Sequence, residues 1–189
     1  DTIAVVMAYL AAYNAKYEGV KDYIAQFMFN VPPSIHPKMD LAKMLAKIEL
    51  IDSLCDENFN VIRQVRAGLA SLNADLDVAK GQLAASTNLG MFINPDIIHV
   101  VGFSEADHAA NPRDVIESCK IVRGVIRNNL YGMGDLTQDK SIQNRKIELI
   151  SEAKYLLNVI KDQYSSYNDP FVIPEVISDI IKRGIIDAP

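Results

Sequence analysis

Apolar and polar positions along the chain change period several times, and each change predicts an element. Val6, Leu10, Tyr13 and Tyr17 recur at helical spacing, which predicts a helix over 3–16 that Gly19 stops. Residues 23–30 (Tyr-Ile-Ala-Gln-Phe-Met-Phe-Asn) are rich in β-formers and bounded by Pro32-Pro33, so they read as a first strand. Leu41, Met44, Leu45, Ile48, Ile51 and Leu54 make one apolar stripe and predict an amphipathic helix over 39–55. A second strand is expected over 59–65. The following helix, over 73–89, takes Asn73 as its N-cap and has Gly90 near its end. Residues 97–103 are apolar on both faces, as a buried parallel strand requires. Pro112 opens a helix through 128, residues 131–137 form the clearest loop, and two more helices are expected over 142–164 and 173–183.

Strands alternating with helices imply right-handed βαβ crossovers and a parallel sheet. Three strands are few for such a sheet, and a closed (β/α)8 barrel takes about 250 residues. The chain therefore reads as α/β of the parallel (β/α)8 TIM-barrel type, holding only the C-terminal part of the barrel over 1–130. A helical extension over 131–189 packs on the same domain. The other architecture open to it is a small three-layer α/β domain with a helical C-terminal extension. The absence of an initiator Met and the ending just after Gly184-Ile-Ile-Asp-Ala-Pro189 read as an excerpt of a longer protein. A partial barrel exposes sheet edges, so a homo-oligomer or hetero-oligomer is expected.

Composition narrows the partners. A net charge of −5 with no basic stripe argues against nucleic acid. The apolar run over 3–12 is too short to span a bilayer, so no membrane is expected. Cys55 and Cys119 lack any C-x-x-C context and read as reduced thiols of a cytoplasmic protein.

The candidate chemistry lies where the strands end. Asn30 closes the first strand, Arg63 and Arg66 the second, and Glu105, Asp107 and His108 follow the third. Arginine recognises carboxylates through paired N–H bonds, and the acids can hold an ammonium or a ribose, so the mouth suits an amino acid or dicarboxylate substrate. Asn30, Arg63, Arg66 and Glu105 are the substrate-binding candidates. Glu105 and Asp107 are equally suited to capping the next helix. His36, Asp107 and His108 are residue types that ligate zinc or iron, yet no H-x-x-x-H or H-E-x-x-H spacing occurs, and no metal site is assigned. His99, within the third strand, reads as a core or interface histidine. Gly132-x-Gly134 follows no strand and is no dinucleotide fingerprint.

The run Ile98-His-Val-Val-Gly-Phe-Ser-Glu-Ala-Asp-His-Ala-Ala-Asn-Pro112 resembles the strand, polar turn and Pro-started helix of the large subunit of cobalamin-dependent glutamate mutase. The stretches Ile150-Ser-Glu-Ala-Lys-Tyr-Leu-Leu157 and Ile181-Lys-Arg-Gly-Ile-Ile-Asp-Ala-Pro189 resemble that family's closing helices and its G-x-x-D-x-P ending. In Ile62-Arg-Gln-Val-Arg-Ala-Gly-Leu69, Gln64 and Gly68 agree with a turn near the family's cofactor. The resemblance covers most of the chain. It implies a (β/α)8 barrel, adenosylcobalamin as cofactor and a small corrinoid-binding subunit as partner. The implied reaction is a radical carbon-skeleton rearrangement of an amino acid or small carboxylate. It places Phe103, Asp107 and Asn111 beside the cofactor. Where the family carries a lysine this chain has Phe103, and where it carries a glutamate this chain has Asp107. Two other functions fit the same scaffold: a non-catalytic homologue that binds a corrinoid protein or other partner, and a metal-assisted enzyme using Glu105, Asp107 and His108.

Overall fold

Side chains in β1 (Asp22–Phe29) alternate strictly: Ala25, Phe27 and Phe29 are buried, while Ile24 and Gln26 are exposed. In β2 (Asn60–Ala67) Val65 and Ala67 are buried in the same rhythm. The Gly68 N–H donates to the Phe29 carbonyl at 2.9 Å, and β3 (Ile97–Ile98) sets Ile97 opposite Gln64 and Ile98 opposite Val65. The order is β1-β2-β3 and the sheet is parallel. The computed structural model, which describes residues 1–132 and 134–186, is thus mixed α/β and 61% helical, so helices supply most of the core. Met133 of the predicted loop and residues 187–189 of the predicted ending lie outside the described residues.

Two crossover helices join the strands, α2 (Pro37–Asp52) and α3 (Leu76–Met91). A Cβ on Gly90 of α3 would meet Val65 at 3.4 Å and Phe29 at 3.6 Å, so α3 sits close on the face that carries these two side chains. The residues of opposite parity look the other way. Ile24, Gln26, Met28, Ile62, Gln64, Arg66 and Ile97 are all half-buried or exposed. His99 prolongs the ladder, donating its N–H to the Val65 carbonyl at 2.9 Å. By alternation it stands on the same open face. It is exposed, not in the core.

The third strand is shorter than the apolar run 97–103 predicts. It has one neighbour, β2, and β2 ends at Ala67. Past His99 no further backbone N–H of this run donates to β2 among the described residues, and the chain leaves the sheet and turns through a 3-10 segment, Phe103–Ala106. Val101 and Phe103 then fill the helix-side core instead of extending the strand. The start of α3 also differs. Asn73 spends its side-chain oxygen on the Asp75 N–H (2.8 Å), and Asp75 becomes the cap, accepting from Asp77 N–H at 3.0 Å and Val78 N–H at 3.3 Å. Gly90 lies inside this helix, where its lack of a side chain allows the close contact with the sheet.

The chain forms two compact units, one from Asp1–Tyr23, Lys43–Val61 and Asn144–Pro189, the other from Ile24–Ala42 and Ile62–Gln143. In the first, Val6 and Leu10 of α1 (Thr2–Tyr17) pack with Leu149 and Ile160 of α5 (Lys140–Gln163) and Ile180 of α6 (Pro174–Lys182). The Tyr13 hydroxyl there donates to Asp169 at 2.7 Å, and that bond, with burial, pushes the phenol up to about 12. The second unit centres on Leu72, Leu83, Val101, Phe103 and Val122, the last from α4 (Pro112–Leu130). Among the described residues, no helix is long and apolar enough to cross a membrane.

Candidate functional site at the strand ends

Parallel strands present side chains at their C-terminal ends, so the end of each strand of the second unit is the place to look for chemistry. Asn30 follows β1 with φ 62°, a left-handed conformation that asparagine tolerates better than most residues. It is held there from both sides. Its N–H donates to Asp40 at 2.6 Å, and its carbonyl accepts from the Ser71 hydroxyl. Asp40 itself is 1% exposed in the first turn of α2.

Arg63 and Arg66 are three residues apart on a strand, which puts them on opposite faces. Arg63 turns to the helix side: its N–H donates to Asp96 at 2.8 Å and its Nη1 to the Ile93 carbonyl at 3.2 Å. Arg66 turns to the open face beside Gln64. Its Nε reaches only the Ala67 carbonyl, at 3.4 Å, and no carboxylate among the described residues pairs with it. Gln26, Gln64, Arg66 and His99 therefore share one uncovered surface, with Arg66 free to meet an anion.

The residues after β3 are occupied differently. Phe103 is 2% exposed and packs in the second unit's core, its N–H donating to the Ser118 hydroxyl at 3.1 Å and its ring 4.8 Å from the Lys80 ammonium. Glu105 is exposed, but its Oε1 accepts the Gly102 N–H at 2.8 Å. Asn111 caps α4, accepting from the N–H groups of Arg113 (2.9 Å) and Asp114 (3.2 Å). Asp114 returns the favour by accepting the Asn111 N–H at 3.1 Å, a reciprocal capping box. The Ser104 hydroxyl also donates to Asp114, at 3.0 Å.

His108 closes this network. Its Nδ1 lies 2.8 Å from Asp107 and its Nε2 3.2 Å from Asp114. The two hydrogen bonds, Asp107's first and Asp114's second, raise the imidazole above its ordinary value of 6.5. The backbone bond from Asn111, with those from Ser104 and His108, holds Asp114 below its ordinary 3.8. A raised histidine contributes in full below 6.5 and loses its contribution as pH climbs through the folded value. A lowered aspartate contributes above 3.8 and loses it as pH falls. The start of α4 is therefore firmest between roughly pH 4 and 6.5. Hydrogen exchange of the Val115 and Ile116 amides, corrected for intrinsic rates, is expected to be slower at pH 6 than at pH 8.5; equal protection at both would remove His108 from the account.

Both His108 nitrogens face carboxylates, and the His36 Nδ1 accepts the Lys38 N–H at 3.2 Å. Among the described residues, no group of three or more His, Cys, Asp or Glu side chains is placed to hold a metal ion. The sequence candidates thus separate into an open face bearing Arg66, a helix-side pair in Arg63 and Phe103, and a cap network using Glu105, Asp107 and Asn111. Asp40, which fixes Asn30, and His99, as a neighbour of Arg66, were not singled out from sequence. Period two along β2 and β3 is the signal that brings His99 and Arg66 together. A scan against protein-family models finds no match to the chain, and a search of curated proteins finds none either.

Proposed function

We propose that the chain is the C-terminal part of a (β/α)8 barrel in a glutamate mutase-like, adenosylcobalamin-dependent isomerase acting on an amino acid or small carboxylate. The observation that carries this reading is the two-sided parallel sheet. Doubly wound parallel sheets carry helices on both faces, so their strands are apolar throughout. Here one face takes α3, and the other presents Gln26, Gln64, Arg66 and His99 among Ile24, Met28, Ile62 and Ile97. A face of mixed polarity that bears an arginine and lies opposite a helix layer is what the lumen of a barrel mouth supplies. The family resemblance read from the sequence supports the same architecture.

In this reading Arg66 takes the substrate carboxylate through paired N–H bonds, with Gln64 beside it, while Asn30 shares a pocket with Phe29, Asp40 and Ser86 instead. Arg63, bound to Asp96 and Ile93, holds the strand end in place. The cofactor supplies a carbon radical when bound; the protein orients the substrate and keeps water away. Asp107 retains an oxygen with no hydrogen-bond partner among the described residues, and Asn111 retains its amide N–H groups, so both suit ribose hydroxyls. Phe103 does not fit a cofactor contact, because its ring is enclosed in the core. This sequence has no D-x-H-x-x-G motif, so the corrin comes with a separate subunit or domain, in this reading a small corrinoid-binding subunit.

The test is corrin retention. The chain, extended to its natural start, is mixed with adenosylcobalamin and a small corrinoid-carrying subunit and passed over a sizing column. Corrin absorbance is expected to travel with the large subunit, and Arg66→Ala is expected to raise the KM for the amino acid about tenfold or more while leaving corrin in place. A folded sample that elutes free of corrin would overturn the cobalamin reading. The burial of Phe103 favours one alternative, a non-catalytic homologue that binds the corrinoid protein, since a core residue stands where the family has its lysine. Corrin retained without isomerisation of any amino acid would select it.

A further inference from the structure

Arg113, Lys120 and Arg127 of α4 stand seven residues apart, and Ile116, Arg123 and Leu130 repeat that spacing three residues later. Such a repeat, taken in steps of three and four, runs as one seam along a helix. Here it extends for about 26 Å at 1.5 Å per residue. All six residues are exposed, Ile116 at 55% and Leu130 at 77%, and Tyr131 prolongs the seam at 87%. The opposite side of the helix is the covered one, where Ser118 and Val122 are buried.

The charge of this seam has one sign. α4 holds two acids, and the fold turns both aside: Asp114 is engaged in the cap network, and Glu117 meets the Lys80 ammonium at 2.8 Å. Among the described residues, no carboxylate lies within ion-pair reach of Arg113, Lys120, Arg123 or Arg127. The linear sequence hides the stripe, because Asp114 and Glu117 stand among the cations and the whole chain carries −5. An ordinary solvated helix mixes its signs. α5 does so, with Arg145 3.0 Å from Glu148 and 3.3 Å from Glu152. On α4 like charges three and four residues apart repel one another, and three large apolar side chains stand in water among them. A surface of opposite charge with apolar residues at its ends relieves both.

We propose that this seam docks an acidic amphipathic helix of a partner protein. The partner's carboxylates recur at the same three- and four-residue steps and meet Lys120, Arg123 and Arg127; its apolar side chains cover Ile116 and Leu130. A second copy of this chain, paired symmetrically through α4, sets cations against cations. A helix lying in a bilayer surface keeps its apolar residues on one face and its cations on another. Here Lys120, Arg123 and Arg127 run between Ile116 and Leu130 on the same line. A nucleic acid gains nothing from Ile116 and Leu130 and meets a chain that is acidic overall. The seam lies wholly on α4 and does not depend on the barrel reading.

Fluorescence anisotropy on the full chain tests it. The probe is a labelled helical peptide of about three heptads, with glutamates along its seam and leucines at both ends. A scrambled peptide of the same composition controls for charge alone. The seam peptide is expected to bind about tenfold more tightly than the scrambled one at about 50 mM salt, and to weaken about tenfold or more by about 500 mM. Lys120→Glu with Arg123→Glu, both at exposed positions, is expected to weaken it about tenfold or more. Lys21→Glu with Lys154→Glu makes the same change of net charge at exposed positions off α4 and is expected to cost less than about threefold. Equal binding of the two peptides, or equal losses in the two variants, overturns the proposal. So does a folded chain that leaves the seam peptide free; phosphatidylserine vesicles or an RNA duplex held through Lys120 and Arg123 would then take the partner's place.

Discussion

Phe103→Ala is expected to lower the unfolding free energy of the chain by about 3–5 kcal/mol, measured from urea midpoints. The ring is 2% exposed and packs with Leu72, Leu83, Val101 and Val122, all of which would line the void it leaves. Its N–H is tied to Ser118, which fixes the backbone and limits collapse of the void. Phe103→Leu keeps most of the volume and is expected to cost under about 1.5 kcal/mol. The same pair of variants separates two roles for this position. A side chain that touched only a cofactor would leave the midpoints unchanged and weaken corrin retention; that outcome would take Phe103 out of the core.

Gly68→Ala is expected to destabilise by about 1–3 kcal/mol, through overpacking rather than through the backbone, since Gly68 does not sit at positive φ. The added methyl would fall 2.3 Å from the Val31 Cγ2 and 3.3 Å from the Phe29 carbonyl. Val31 is β-branched and has little rotameric freedom to yield. Relief therefore requires moving the turn that holds Asn30, or lengthening the Gly68 to Phe29 hydrogen bond that seals β1 to β2. Gly81→Ala provides the contrast. Nothing lies within 4 Å of its Cβ position, it is exposed in the body of α3, and alanine there is expected to stabilise by about 0.5–1 kcal/mol. If both substitutions shift the midpoint the same way, the close approach at Gly68 is not what limits it.

Periodicity carried most of the architecture. The stripe from Leu41 to Leu54 and the Pro112 start gave helices within a few residues of α2 and α4, and the alternation Ala25, Phe27, Phe29 gave β1. What eluded it depended on a neighbour. Residues 97–103 have the composition of a buried strand, but pairing needs a partner's carbonyls, and β2 supplies them only as far as His99. Asn73 and Asp75 are both good caps, and local composition does not say which one the chain chooses. For the site, the sequence placed Asn30, Arg63 and Arg66 at strand ends but did not assign their faces. Counting by two would have set Arg63 and Arg66 apart. Glu105 and Asn111 serve as caps and Asp107 binds the His108 ring; of these, the capping use of Glu105 was open to sequence reasoning.

The convergence of Ser104, His108 and the Asn111 N–H on a single carboxylate, Asp114, has a consequence for how this region tolerates change. Effects of substitutions there do not add. Once Asp114 has lost one donor, its remaining partners are free to tighten or to follow it, so a second change meets an altered neighbour. A double-mutant cycle on Ser104 and His108 is expected to show a coupling energy of about 0.5 kcal/mol or more, although the two side chains share no bond. Which residue can vary at one of these positions is then decided by what already stands at the others.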